Sequence, residues 1–307
     1  MASYLRTVLA GAVGIVALVL LLSPTAHADY IAPEKVQVKT KAYSPENTEF
    51  EPGAYHYSIR WQGIPVARAQ IIVRSAGLGD ENFMKVTAAA QTAAGIDLLY
   101  TLRHTSESIF DARTLQPISF FSSQTENSRT KYRQISFVGD GNITSKMWKR
   151  GKKGEDVPEE EHTFKSDNAT FDPISAAFLA RSISVAEGEE VSFDVFNGKH
   201  RFLISFKVGP KEQITVRGKT VEARKVTPTV KKLTDTEGEK RLQSAALWIS
   251  TDGKHDVLRM ESRVLVGKVT AELIAFNPAK KADANTVRAA LGVPEQQSKG
   301  QNPDTGK

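Results

Sequence analysis

From Gly53 onward, apolar and polar residues alternate with a period of two over most of the chain. Successive side chains of a β-strand point to opposite faces of a sheet, so this alternation predicts strands with one buried face and one face in water. The first predicted strand places these residues on one face: Tyr55, Tyr57, Ile59 and Trp61. Two more strands are predicted near residues 67–74 and 84–91. The pattern predicts an all-β protein.

The same alternation continues to residue 276, interrupted by turn signals such as Asn197-Gly198 and Asp252-Gly253. Further strands are predicted near residues 98–110, 118–126, 131–138, 143–149, 190–196, 200–208, 220–230, 242–250, 257–266 and 268–276. Short connections between successive strands favour antiparallel pairing, and a sheet of more than about ten strands must curl or split. We therefore expect a single β domain at residues 53–276. We expect its large, strongly curved antiparallel sheet to form a half-barrel or an open β-spiral, with one short helix docked on it.

The remaining segments are polar. Residues 29–52 form a polar lead-in that prolines interrupt, and residues 277–307 form a polar, largely disordered tail with a brief helical run near 285–291. Two charged stretches inside the domain, at 150–161 and 231–241, are expected to be solvated hairpin tips.

One segment, TFDPISAAFLARS at residues 170–182, departs from the two-residue period and has helical spacing instead. Asp172 is a favoured N-cap residue, and Pro173 suits the first helical position, where no N–H is needed. A helix this short is marginal in water, so it must dock on the sheet. We expect its partner to be the small-residue stretch Ala88–Ala90. The carboxylate of Asp172 is thus assigned a structural role as helix cap, with a catalytic role as the alternative.

The N-terminus has the features of a secretory signal peptide at residues 1–28. Arg6 is followed by the apolar run 8–22, and small residues precede a cleavage site between Ala28 and Asp29. An uncleaved membrane anchor is the alternative, although a spanning helix needs about 20 apolar residues. We expect export to the periplasm, with no membrane span after cleavage.

Composition and motifs exclude several kinds of chemistry. The chain has 0 cysteines, which excludes disulfides, thiolate nucleophiles and cysteine-ligated metals. It also lacks a Gly-x-Ser-x-Gly elbow and a His-Glu-x-x-His pair. We therefore expect no catalytic residues, no cofactor-binding residues and no metal ligands. Carboxylates that meet only in space leave a hydrolase open. The formal net charge is +6, but basic and acidic residues are interleaved along the strands. The expected periplasmic compartment argues against nucleic acid as a partner.

Several short motifs occur once each, in a fixed order, along the domain. They are Gly53-x-Tyr55-x-Tyr57, Trp61-x-Gly63-Ile64, Glu107-Ser108-x-Phe110-Asp111, Leu115-x-Pro117, Asp172-Pro173-Ile174-Ser175-Ala176 through Arg181, Gly188 before Val191-x-Phe193, Leu247-Trp248-Ile249-Ser250 and Val266-Gly267. This set resembles the exported bacterial domain-of-unknown-function family 3108, a family of uncharacterised periplasmic proteins. The resemblance implies an envelope protein with a lipoprotein-carrier-like β architecture, and it brings no catalytic residues.

Three functions remain open from the sequence. The first is a non-enzymatic periplasmic binding or carrier protein for an apolar ligand or a lipoprotein segment. The second is an envelope-integrity protein that binds a protein or cell-wall partner, and the third is a hydrolase. The expected partner is an envelope component: a lipid, a lipoprotein or part of the cell wall.

Overall fold

The alternating segments lie in the strands of one antiparallel sheet in a computed structural model, which describes residues 30–46, 49–78, 81–234, 245–263 and 267–279. The predicted signal peptide, the cleavage site at Ala28 and Asp29, and the predicted helical run at 285–291 lie outside these residues. Within the described part of the chain, fifteen strands pair into a single sheet. The predicted all-β fold is confirmed.

The strands are β1 Gly53–Trp61, β2 Ile64–Leu78, β3 Glu81–Thr92, β4 Leu102–Asp111, β5 Pro117–Glu126, β6 Arg129–Val138, β7 Asn142–Arg150, β8 Asp156–Lys165, β9 Thr170–Phe171, β10 Glu190–Phe196, β11 Arg201–Val216, β12 Lys219–Lys232, β13 Ala245–Ser250, β14 Val257–Arg263 and β15 Lys268–Pro278. The helical elements are a 3-10 turn at Pro33–Lys35, α1 at Ala94–Asp97 and α2 at Pro173–Ser182.

The strand order follows the chain, with one exception at the middle of the sheet. The order is β8-β7-β6-β5-β4-β3-β2-β1-β15-β14-β13-β12-β11-β10-β9, so β1 pairs with β15 and joins the two halves. All pairs are antiparallel except β9 with β10, which is parallel. Strands β1 and β4 bury alternate residues along one face, as the alternation predicts.

The sheet curls until its two ends meet across the interior. The turn between β10 and β11 touches β6 and β7: Ser145 Oγ donates to the Gly198 carbonyl over 2.9 Å, and Gly198 lies against Arg133 and Ile135. Strands β7 and β10 are twelve positions apart in the sheet order. A flat sheet would separate them by roughly 55–60 Å at the usual strand spacing. This contact therefore shows the strong curvature that the sequence predicted.

Strand β8 corrects one sequence prediction. Residues 150–161 were expected to be a charged hairpin tip, but Asp156–Lys165 pairs with β7 along its length. The charges are accommodated because Glu159 lies between Lys131, at 3.6 Å, and Lys149, at 3.4 Å, while Phe164 is buried. The other charged stretch is shorter at its start than expected, since β12 continues to Lys232. The start of the strand predicted at 98–110 is also displaced, because α1 precedes it and β4 begins at Leu102.

Residues predicted to face inward are buried in the structure. In β1 these are Tyr55, Tyr57 and Ile59, while Trp61 on the same face is partly buried. The strand predicted at 200–208 likewise buries alternate residues: His200, Phe202, Ile204, Phe206 and Val208. The largest fully buried side chains include Phe110, Phe120, Phe193, Phe196 and Phe202. The core is therefore aromatic, and it fills much of the space inside the curved sheet.

The polar lead-in packs against the domain. The backbone N–H of Glu46 donates to the Ser182 carbonyl over 2.8 Å. The ring of Tyr43 meets the edge of Phe193 at a centroid distance of 5.4 Å. The ring of Phe50 meets Phe178 at 4.7 Å. The segment before β1 thus contributes side chains to the core.

Helix α2 packs mainly against β4, β9 and β10. Its main apolar side chain, Phe178, lies 5.4 Å from Phe110 of β4, measured between ring centroids. The prediction that the helix packs on Ala88–Ala90 of β3 is wrong, because hydrogen bonding and ring packing hold the helix on the next strand. Ala88 instead lines an open space beside the helix.

Candidate functional site

A cavity of about 610 Å³ lies between α2 and the inner face of the sheet. The helix forms one wall, and inward-facing residues of β1–β3 and β10–β14 form the others. Apolar side chains dominate the lining: Ile71, Val86, Ala88, Ile174, Val191, Phe206, Val208, Val226, Leu247, Ile249, Val257 and Met260. These side chains share one face because each strand alternates, so the feature that makes the core also makes the cavity.

The predicted cap, Asp172, fixes the N-terminal end of α2. Asp172 Oδ1 accepts from the backbone N–H groups of Ile174 and Ser175, over 2.7 and 3.2 Å. Its Oδ2 accepts from Ser108 Oγ of β4 over 2.7 Å, and Pro173 occupies the first turn. Asp172 is fully buried, and burial raises the pKa of its carboxyl group. The structure therefore places Asp172 and Pro173 where the sequence expected them. It adds a hydrogen bond to the sheet that the sequence did not reveal.

Arg181, in the last turn of α2, holds the C-terminal end of the helix. Its Nε donates to the His255 carbonyl over 2.7 Å, and its Nη2 donates to Asp256 Oδ1 over 3.2 Å. The guanidinium also lies over the rings of Phe50 and Phe178, at 5.1 and 5.3 Å. The turn between β13 and β14 is thus tied to the helix, which holds α2 over the cavity at both ends.

Basic residues stand at the polar rim of the cavity. Lys211 of β11 and Arg224 of β12 are direct partners in the sheet register, and both line the cavity. Lys211 Nζ lies 3.0 Å from Glu222. Arg224 Nη1 lies 3.9 Å from Glu187. Sequence patterns alone do not predict this pair, because the two residues become neighbours only through the register of a hairpin.

A polar patch covers the inner face beyond the helix. His104 and Ser106 of β4 are buried, and within the described residues neither His104 Nε2 nor Ser106 Oγ has a hydrogen-bond partner. Burial lowers the pKa of His104 to about 4, and the nearby positive charge of Arg133 adds to this effect. The folded protein thus holds this imidazole neutral.

His104 should make stability depend on pH. Its ordinary pKa is 6.5, so between about pH 6.5 and 4 the unfolded chain takes up a proton that the folded protein does not. We expect the free energy of unfolding to be fully present above pH 6.5 and to fall by about 2–3 kcal/mol as the pH drops to 4. Urea unfolding at a series of pH values measures this loss. His104→Gln should remove most of it, and His56→Gln should not. An unchanged pH profile for His104→Gln would contradict the assignment.

Two further structural facts bear on the kind of site. Within the described residues, no group of three or more histidine or acidic side chains is arranged to hold a metal ion. Nor is any described helix long and apolar enough to cross a membrane.

The fold and site define a class: an all-β protein in which one open, curled sheet surrounds an apolar cavity beside a short helix. Residues 56–274 match the family model described as "Protein of unknown function (DUF3108)". The chain therefore belongs to the DUF3108 family, as the motifs predicted. No curated protein matches its sequence.

Three solved structures are similar at low sequence identity. A β-barrel-like DUF1849 protein from Brucella abortus is 9% identical, with a TM-score of 0.49, and the match covers 76% of this chain and 99% of that one. A protein from Bacteroides fragilis described as exported, with a YmcC-like fold, is 9% identical, with a TM-score of 0.33 and coverages of 76% and 100%. The hypothetical lipoprotein YmcC of Escherichia coli is 12% identical, with a TM-score of 0.30 and coverages of 75% and 90%.

Proposed function

We propose that this protein is a non-enzymatic binding or carrier protein of the periplasm, and that its cavity holds the acyl chain of an envelope lipid. The observation that carries the proposal is the apolar cavity of about 610 Å³ under α2. Ligand sites in proteins have volumes of about 300–1,000 Å³ and are lined mainly by apolar side chains. This cavity is roughly four times the ~150 Å³ engineered cavity that accommodates benzene.

The lining favours a flexible apolar chain over a rigid polar molecule. Its walls are formed by aliphatic residues and by aromatic residues such as Phe178 and Phe206, with few polar groups in between. A polar ligand placed there would lose hydrogen bonds to water without replacement. An acyl chain has no such requirement and gains free energy in proportion to the apolar area that it buries.

The chemistry around α2 supports binding rather than catalysis. Asp172, the acidic residue at the start of the helix, already accepts three hydrogen bonds from the protein. Asp256, at the other end, accepts from Arg181. Both carboxylates are used to position the helix. The signal peptide predicted at residues 1–28 supports the periplasm as the place of action.

Dye binding tests the proposal. N-phenyl-naphthylamine is uncharged and fluoresces strongly once it leaves water, so it should bind the mature protein saturably. Ala177→Phe places a ring inside the cavity from α2 and should abolish most of the signal. Ala54→Phe introduces the same ring on β1, on the face opposite the buried Tyr55, and should leave binding intact. If Ala177→Phe melts early, Ala177→Leu replaces it. Absence of saturable binding, or equal binding by the cavity variant and the control, would overturn the proposal.

A further inference from the structure

The cavity has a charged rim whose arrangement is unusual for a sheet. Lys211 and Arg224 face each other directly across the β11–β12 pair, and both side chains line the cavity. Like charges placed directly opposite in an antiparallel pair destabilise the sheet. An arrangement that costs stability suggests a use for the two charges together.

A bulge precedes this pair. The register of β11 shifts between Val208 and Lys211, so that two residues, Gly209 and Pro210, lie opposite a single residue of β12, Lys225. Bulges redirect the side chains that follow them and are over-represented beside functional sites. Glycine suits this position, because a Cβ atom there would lie 3.1 Å from the Lys225 carbonyl oxygen. The bulge turns Lys211 to the face that Arg224 also occupies.

The neighbouring carboxylates neutralise the pair only in part. Glu222 lies 3.0 Å from Lys211 and also accepts from Thr251 over 2.9 Å. Arg224 Nη1 donates to the Gly209 carbonyl over 3.4 Å, and its acidic partner is weaker than that of Lys211, since Glu187 is 3.9 Å away and its side chain is 60% exposed. A guanidinium in this position retains donors that point in a planar fork, the geometry that matches a phosphate or a carboxylate.

The charged pair adjoins the apolar lining directly. Val226 follows Arg224 by two residues on the same face of β12, and Val208 precedes the bulge on β11. Of the charged residues that line the cavity, three are basic and one, Glu46, is acidic, and Arg181 is already paired with Asp256. The remaining surface is therefore amphipathic, with an apolar interior and two cations at its edge.

We propose that the ligand carries an anionic headgroup, a phosphate or a carboxylate, and that Lys211 and Arg224 bind it while the acyl chain lies under α2. This proposal rests on the proposed function and adds the chemical class of the ligand. It assigns the headgroup specificity to Lys211 and Arg224.

Competition among amphiphiles with one common tail tests the headgroup. Dodecyl phosphate, dodecanoate, dodecyl maltoside and dodecyltrimethylammonium are each titrated, below the concentrations at which they form micelles, against bound N-phenyl-naphthylamine. We expect the anionic amphiphiles to displace the dye about tenfold more effectively than the neutral one, and the cationic one to be weakest. Preference for the phosphate or for the carboxylate identifies the kind of lipid. Added salt should reduce the preference.

Variants separate the headgroup site from the cavity. Lys211→Gln and Arg224→Gln should each weaken the anionic amphiphiles about tenfold and leave dodecyl maltoside and the dye unchanged. Lys207→Gln removes a charge from the solvent-facing side of β11 and should change nothing. Thermal melts check that each variant folds, and Lys211→Met is the substitute if one does not. Equal competition by all headgroups, or unchanged selectivity in both variants, overturns this inference while dye binding still supports the cavity. Failure of the dye itself to bind overturns both.

Discussion

Arg201→Met is expected to lower the free energy of unfolding by about 3–5 kcal/mol, because it leaves the buried Asp194 carboxylate without its charged partner. Arg201 and Asp194 are both buried and form an ion pair in which Nε and Nη2 each donate to the carboxylate. Two charges in the interior have lost their hydration, and removing one of them exposes the full cost of burying the other. Methionine fills a similar volume, so the effect reports the lost charge and hydrogen bonds rather than a change in packing.

The loss should extend beyond the pair, because Arg201 also donates to the lead-in segment. Its Nη1 donates to the carbonyls of Pro33 and Val36 over 3.4 and 3.0 Å, and its Nη2 donates to Ser166 Oγ over 3.2 Å. These contacts connect the segment before β1, the approach to β9 and the start of β11. We expect amide hydrogen exchange to speed up in residues 31–40 of the variant, even under conditions where it remains folded.

A matched control separates burial from charge. Lys146 and Glu161 form a pair 3.4 Å apart, with side chains 66% and 61% exposed. Exposed pairs contribute little, so Lys146→Met should leave urea unfolding unchanged. In the double variant Arg201→Met with Asp194→Leu, neither charge remains, and the part of the loss that comes from the unpaired carboxylate should return. If Arg201→Met unfolds like the wild type, the pair does not carry the stability assigned to it here.

The strands could be predicted because their signal is local. Alternation of Tyr55, Tyr57 and Ile59 with polar neighbours needs only the two-residue period of a strand, and these residues are buried as expected. The cap at Asp172 was equally local, since an acidic residue before a proline defines the start of a helix. Strand β8 was missed because its run Glu159-Glu160-Glu161 resembles a solvated loop until Lys131 and Lys149 are placed beside it.

Contacts between segments that are distant in the sequence could not be predicted. Lys211 and Arg224 are neighbours only because a bulge shifts the register of their hairpin. Arg181 reaches the His255 carbonyl across 74 residues of chain, and Ser108 reaches Asp172 across 64. The cavity depends on such contacts, since they hold α2 over the sheet. A pattern that repeats every two residues describes each strand's faces but not which strands share a wall.

Asp172→Ala is expected to lower the free energy of unfolding by about 3–4 kcal/mol, well above the ~1 kcal/mol of an ordinary N-cap. The difference comes from burial. Without the carboxylate, the Ile174 and Ser175 N–H groups lose their acceptor, and so does Ser108 Oγ. A buried polar group left unpaired costs about 1–3 kcal/mol beyond the lost cap. Urea unfolding of the variant measures this sum.

Asp172→Asn should be nearly silent in the same experiment. The side-chain carbonyl of asparagine can accept from both N–H groups, and its amide can donate to Ser108 Oγ, which then acts as acceptor. Burial raises the pKa of Asp172, so a neutral side chain in its place relieves a desolvation cost. Dye binding should therefore be retained in Asp172→Asn and weakened in Asp172→Ala, since the helix that roofs the cavity loses its anchor on β4. A stable Asp172→Asn protein that no longer supports the protein's function in cells would contradict a purely structural role. The proton of the Asp172 carboxyl group would then be needed for function, and Asp172 would have a catalytic role as well as capping the helix.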